Sequence, residues 1–166
     1  GARFTFEPGT IIGGVYEVIS TLGWGGMGTV YKVKHKVLER ISAVKVLDSR
    51  LADASAWKRF QVEARSVASL NHRALVNVYD LGLHEGKTPF FVMDFVEGVS
   101  LEALLLEGGP LFLEDVLRIF DVVLDCLAYT HKAGIIHRDI KPANIMVSVD
   151  TLGNTTVKLL DFGLAK

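Results

Sequence analysis

The chain has 166 residues, of which 49% are hydrophobic and 22% are charged. That length and balance predict a folded domain with its own core and exclude a disordered segment. The formal net charge of −1 at pH 7 gives no indication of a nucleic-acid partner, and no apolar run approaches the roughly 20 residues that cross a bilayer.

The chain contains a single cysteine, Cys126, which cannot form an internal disulfide. This composition fits a reducing compartment, so a cytoplasmic location is expected. The residue itself is expected to be a small buried apolar side chain.

The N-terminal part of the sequence alternates as β-strands do. Val, Ile and Tyr are frequent in these segments, and short polar or glycine-rich links separate them. Strands are predicted at residues 16–22, 29–35, 41–47, 76–83 and 90–95, with a turn at residues 86–89.

A helical period interrupts the strands at residues 53–70. Phe60, Ala64 and Val67 fall on one face there, with Asp53 or Ser55 as the N-cap. The sequence therefore predicts five strands and one helix before residue 96.

Beyond Glu97 and Gly98 the chain becomes helical. Ser100 is expected to cap a short helix through residue 106, and residues 114–132 form a long amphipathic helix. Gly134 follows that helix, where a positive φ is favoured. A strand pair closed by a surface turn at Gly153 comes near the end.

The elements together predict an α+β architecture in two parts. Residues 1–96 form a sheet-rich lobe, and residues 97–166 form the first part of a helical lobe. The link between them is expected at residues 94–98.

The first motif of functional interest is a glycine-rich segment, Gly23, Gly25 and Gly28, followed by Val30. Glycines let a backbone approach phosphate oxygens closely. A dinucleotide-binding loop would require a helix after the glycines, whereas residues 29–33 are strand sequence. The pattern therefore favours a hairpin that covers a nucleotide.

A second motif is Ala43 and Lys45, which share one face of a predicted strand. Ala43 can pack on a base while Lys45 reaches phosphates as a point charge. Glu63 lies in the middle of the predicted helix, where an unpaired carboxylate would be costly to bury. An ion pair between Lys45 and Glu63 would satisfy both charges.

The third motif runs from His137 to Asn144. Asp139 can accept a proton from a hydroxyl group, and Asn144 can bind a metal ion through its amide oxygen. Lys141 lies between them and can neutralise a phosphoryl group. Asp161, followed by Phe162 and Gly163, offers a carboxylate for Mg²⁺.

In this order the motifs resemble the protein kinase set, and residues 25–31 and 65–72 are similar to the bacterial PknB-like Ser/Thr kinases. The resemblance implies a protein-kinase-like fold, ATP and Mg²⁺ as cofactors, and a protein with a Ser or Thr hydroxyl as substrate. Lys141 followed by a proline resembles the Ser/Thr group rather than the tyrosine group.

The resemblance also implies roles for individual residues. The glycines would cover the phosphates, Lys45 would hold them, and Glu63 would orient Lys45. Asp139 would be the catalytic base, Lys141 the γ-phosphate contact, and Asn144 and Asp161 the Mg²⁺ ligands. The adenine pocket would be formed by Val30, Ala43, Met93, Asp94, Phe95, Val96 and Met146.

The sequence ends shortly after Gly163, where the family has an activation segment and a platform for its protein substrate. Two alternatives to catalysis are therefore expected as well. One is a non-catalytic nucleotide-binding module, and the other is a protein-interaction module that self-associates through an exposed apolar face of the partial helical lobe.

Overall fold

The computed structural model describes residues 5–25, 28–47 and 54–160. These residues fall into two compact units. The sheet unit comprises the described residues up to 65 together with residues 78–95, and the helical unit comprises residues 66–77 and 96–160.

The sheet unit contains one antiparallel sheet and the helix α1 except for its residues 66–68, which belong to the helical unit. Its strand order is β1-β2-β3-β4-β6-β5. The elements are β1 (Ile11–Ile12), β2 (Tyr16–Gly25), β3 (Gly28–His35), β4 (Ile41–Leu47), α1 (Ala54–Ala68), β5 (Val78–His84) and β6 (Thr88–Asp94).

The sheet has six strands rather than the five that we predicted. The additional strand, Ile11–Ile12, pairs with Glu17 and Tyr16 of β2. Two residues show no period of their own, so this strand exists only because β2 offers an edge to pair with.

One face of this sheet carries the apolar core of the unit. Alternate residues point to opposite faces of a strand, so Val44 and Val46 contribute to this core while Ala43 and Lys45 lie on the other face. The core consists of Ile12, Tyr16, Val18, Tyr31, Val33, Val44, Val46, Phe90 and Val92.

The helical unit combines two helices with a small antiparallel sheet of order β7-β8-β9. Its elements are β7 (Val99–Ser100), α2 (Leu101–Gly108), α3 (Leu113–Lys132), a 3₁₀ turn (Pro142–Asn144), β8 (Ile145–Val149) and β9 (Thr155–Leu159). In the described part of the chain, we find no helix long and apolar enough to span a bilayer.

The predicted helix boundaries of this unit follow local signals. The Ser100 side chain accepts a hydrogen bond from the Ala103 amide at 3.1 Å and caps α2. Gly134 follows α3 with φ of 74°, as its position predicts. Of the two residues predicted to cap α1, Ser55 lies inside the helix and is therefore not its N-cap, and Asp53 lies outside the described residues.

Helix α3 is buried on one face only. Ile119, Val123 and Cys126 are buried, whereas Leu117 and Leu124 are each 61% exposed. Phe120 of the predicted apolar face is 42% exposed, and self-association through that face stays a prediction. The α+β class is confirmed by the two units.

Candidate active site

The glycine-rich segment forms the end of β2 and the start of β3. Gly25 pairs with Gly28 and Gly23 pairs with Val30, so the predicted hairpin exists. Residues 26 and 27 lie outside the described part of the chain.

Two of the three glycines, Gly23 and Gly28, differ in the space around them. Gly28 has φ of 155°, and a Cβ there would overlap the carbonyl oxygen of Val46. A Cβ at Gly23 would meet nothing within 4 Å. Gly28 is therefore required by the fold itself. Position 23 has room for a side chain, so the glycine there needs an explanation other than steric fit.

Sheet register brings the predicted nucleotide-binding residues of this unit to one face. Val30 pairs with Lys45, and Ala43 pairs with Met93. Paired residues in an antiparallel sheet share a face, and alternate residues of one strand do as well. Val30, Ala43, Lys45 and Met93 therefore form a single patch, in which Lys45 is only 9% exposed.

Glu63 lies on α1 and is half-buried. The helix face predicted from Phe60, Ala64 and Val67 is buried, as expected. This burial places Glu63 at the edge of the apolar stripe. The ion pair between Lys45 and Glu63 stays a prediction.

The segment around Asp139 is held by a set of side-chain hydrogen bonds in the helical unit. The Asn144 side-chain nitrogen donates to the backbone oxygen of Asp139 at 2.8 Å and to its carboxylate at 3.0 Å. The Lys141 ammonium lies 3.5 Å from the same carboxylate. Two predicted catalytic residues, Asp139 and Lys141, are thus brought together with the predicted metal ligand Asn144, which is only 6% exposed.

The buried ring of His137 holds this segment in place through two hydrogen bonds. It is 1% exposed, and its Nδ1 accepts the backbone N–H of Asp139. Because Nδ1 is an acceptor, the ring proton lies on Nε2, which donates to the Leu160 carbonyl at 2.7 Å. Between them Arg138 has φ of 65°, an uncommon conformation that directs the backbone through the turn.

The predicted metal ligands are only partly described. Leu160 is the last described residue, and its N–H donates to the Asn144 carbonyl at 2.8 Å. Asp161 with Phe162 and Gly163 lies outside the described residues. Among the residues that are described, no cluster of three or more His, Cys, Asp or Glu side chains exists.

Two other predicted site residues belong to the helical unit. Met146 lies in β8, half-buried, opposite Ser100 and Lys158. Val96 is half-buried at the start of the second segment of this unit. Their predicted contacts with adenine stay predictions.

Cys126 is fully buried on α3, as expected. Burial raises the pKa of its thiol to about 11, and the neighbouring carboxylate of Asp125 contributes to the same shift. At neutral pH the thiol is therefore protonated, which disfavours a redox or nucleophilic role.

Sequence reasoning did not single out the polar side chains around Asp94. Arg40 donates to the Asp94 carboxylate at 2.8 Å and lies over the ring of Tyr79. No local motif signals this group, because Arg40 and Asp94 are 54 residues apart in the chain.

Comparison with known proteins gives a consistent result. The family described as protein kinase domain matches residues 16–166. The chain is 47% identical over 152 residues to the Ser/Thr protein kinase PknL of Mycobacterium tuberculosis, and 43% identical over 155 residues to PknB of Mycolicibacterium smegmatis. Each alignment covers 91% of this chain but only 37% and 24% of the relative.

Solved structures show the same likeness. The PknI kinase domain of Mycobacterium tuberculosis superposes with a TM-score of 0.81 at 33% identity, covering 98% of this chain and 64% of that one. Rad53 residues 1–466 in complex with AMP-PNP gives a TM-score of 0.77 at 27% identity, covering 90% and 38%. In the sequence alignments, the chain spans about a third of the length of PknL and a quarter of the length of PknB.

Proposed function

Because this chain belongs to the protein kinase domain family, we propose that it is the nucleotide-binding part of an ATP-dependent Ser/Thr protein kinase. The reaction would transfer the γ-phosphoryl group of ATP to a Ser or Thr hydroxyl of a protein. The predicted protein-kinase-like fold is confirmed by the likeness to the PknI kinase domain.

The observation that carries the proposal is the arrangement around Asp139. Its carboxylate accepts a hydrogen bond from Asn144 and faces the Lys141 ammonium, so its orientation is fixed. A carboxylate held in this way is suited to accept the proton of a substrate hydroxyl. Lys141 supplies positive charge 3.5 Å away, where a transferring phosphoryl group would need it.

The sheet unit supports nucleotide binding. Lys45 is directed to the face that also carries Val30, Ala43 and Met93, so one patch offers a cation beside apolar side chains. We propose that the apolar residues hold the adenine base, together with Met146 and the backbone of Asp94 and Val96. Lys45, oriented by Glu63, would hold the phosphates under Gly23, Gly25 and Gly28.

We propose Mg²⁺ as a second cofactor, with the amide oxygen of Asn144 as one ligand. Bound Mg²⁺ would neutralise phosphate charge during the transfer. Asn144 uses its amide nitrogen to bind Asp139, which makes its amide oxygen the atom suited to a hard cation. We propose Asp161 as the second protein ligand. A cytoplasmic location, where ATP is abundant, belongs to the same proposal.

Nucleotide binding and transfer are tested separately on this chain. In thermal unfolding, saturating Mg-ATP at 100 times its Kd should stabilise the wild type by about 2.7 kcal/mol, and Lys45→Ala should reduce the shift. Incubation with radiolabelled ATP and a Ser/Thr peptide then measures transfer. Asp139→Asn should keep the thermal shift but lower the transfer rate by about 10²- to 10⁴-fold.

Asp121→Asn is the matched control, because it removes one exposed carboxylate from α3 with the same chemical change. An unchanged transfer rate in Asp139→Asn would refute its role as the base. A thermal shift without measurable transfer by the wild type would favour a nucleotide-binding module over a kinase.

A further inference from the structure

Asp94 ends β6 and carries its side chain on the face opposite the predicted nucleotide face. Its register partner is Ser42, which is adjacent to Ala43 in β4. Since neighbouring residues of a strand point to opposite faces, the Asp94 carboxylate and Lys45 lie on different sides of the sheet. A group that binds this carboxylate can therefore affect a nucleotide only through the backbone.

Arg40 contacts Asp94 and Tyr79 at the same time. Its guanidinium donates to the Asp94 carboxylate at 2.8 Å and lies 4.4 Å from the ring centroid of Tyr79. The planar guanidinium can make both contacts together, whereas a compact ammonium is less suited to donate to Asp94 and stack on Tyr79 simultaneously. Arg40, Ser42, Tyr79 and Asp94 are called the Arg40 clamp below.

Tyr79 is aimed at this clamp by an irregularity in the sheet. Val78 pairs with Met93 and Asp80 pairs with Val92, so Tyr79 is an extra residue between two pairs. Such a bulge re-aims the side chain that it carries. The Tyr79 hydroxyl donates to the hydroxyl of Ser42, which is 1% exposed. This hydrogen bond connects Tyr79 to β4, the strand whose Ser42 pairs with Asp94, and so completes the clamp.

The backbone of Arg40 is also fixed. Its carbonyl accepts the N–H of His35 at 2.9 Å, which closes the turn between β3 and β4. The His35 Nδ1 accepts the N–H groups of Val37 and Leu38, so the turn holds its shape from within. Arg40 therefore reaches Asp94 from an ordered position.

The residue after Asp94 has a similar contact. The Lys32 ammonium lies 4.4 Å from the ring centroid of Phe95. The contact of Lys32 with Phe95 thus lies within the segment in which the adenine-binding backbone is proposed, and the contact of Arg40 with Tyr79 lies beside Asp94. Asp94 is thus attached through Arg40 to the turn between β3 and β4, and Phe95 is attached through Lys32 to β3.

We propose that Arg40 is a positioning residue for nucleotide recognition: through the Arg40 clamp it holds the backbone of Asp94 where adenine is bound. The inference rests on the proposed function. According to this inference, Arg40 does not touch the nucleotide but affects the affinity for its base rather than the affinity for its phosphates. Loss of the clamp should therefore weaken the binding of ATP more than the binding of a nucleotide whose base does not match the backbone of Asp94 and Val96.

Titration calorimetry on the 166-residue chain tests this with Mg-ATP and Mg-GTP as ligands. In Arg40→Ala the Kd for ATP should rise about three- to ten-fold, since a surface ion pair and a cation–π contact are lost together. The Kd for GTP should change by less than about two-fold, a change no larger than the loss of one surface contact would cause. Arg40→Lys keeps the charge and should recover part of the ATP affinity.

Lys34→Ala is the matched control. It removes a cation near the end of β3, where Lys34 pairs with Glu39 of the same turn at 3.1 Å, and should leave the Kd for ATP unchanged. Three results are decisive. An unchanged ATP affinity in Arg40→Ala, or an equal loss for ATP and GTP, overturns the inference and leaves the proposed function standing. A wild type that binds neither nucleotide overturns both.

Discussion

The sheet unit and the helical unit place their functional side chains by different means. In the sheet unit, strand register puts Val30, Ala43 and Lys45 on one face. In the helical unit, Asp139 and Asn144 lie in an irregular segment where side-chain hydrogen bonds fix them. It follows that a change to one side chain should be more costly in the helical unit, whereas the sheet unit should be sensitive to its backbone.

The largest effect is expected from His137→Ala in the helical unit. The change removes a buried ring, its bond to the Leu160 carbonyl, and the acceptor for the Asp139 amide. Stability measured by urea unfolding should fall by about 3 kcal/mol. Hydrogen exchange should localise the loss to the residues around Asp139.

His131→Ala serves as the control for that change, because His131 is an exposed histidine at the end of α3. It should alter stability by less than about 0.5 kcal/mol. Equal losses in the two variants would show that the ring contacts of His137 contribute nothing specific.

The next effect tests the backbone of the sheet unit. Gly28→Ala should destabilise the fold by about 2 kcal/mol, because the new Cβ meets the Val46 carbonyl at a positive φ. Gly23→Ala changes the same chemical group where nothing lies within 4 Å, and should leave the melting temperature nearly unchanged. Similar melting temperatures for both variants would contradict the close approach of β3 and β4.

The smallest effect compares one tyrosine hydroxyl in each unit. Tyr16 donates to Asp80 at 2.5 Å in the sheet unit, and Tyr129 accepts the Asn71 amide at 3.0 Å in the helical unit. Tyr16→Phe and Tyr129→Phe should each cost about 1 kcal/mol in unfolding experiments. A cost confined to one variant would show that the two units differ even at single hydrogen bonds.

The hydrogen bond between Tyr16 and Asp80 also predicts how stability changes with pH. Burial, with the hydrogen bond to Asp80, raises the pKa of the Tyr16 hydroxyl above its usual value. The bond therefore contributes fully below the ordinary tyrosine pKa of about 10, and the contribution is lost as pH rises through the raised value. The difference in stability between wild type and Tyr16→Phe should shrink only in strongly alkaline solution.

Much of the site could be predicted because its signals are local. The alternation of β4 puts Ala43 and Lys45 on one face, and the apolar period of α1 places Glu63 at the edge of its buried stripe. Ser100 and Gly134 mark helix ends through bonds and dihedral angles within a few residues. Short-range geometry is enough for such features.

The remaining features depend on residues that are distant in the sequence. The strand Ile11–Ile12 exists by pairing with β2, and the close approach of Gly28 to Val46 exists by the pairing of β3 with β4. The contact of Arg40 with Asp94 joins residues 54 positions apart. The order of residues carries the periods, caps and motifs of this chain, whereas the pairing of distant strands decides which side chains meet, because no local period encodes a non-local contact.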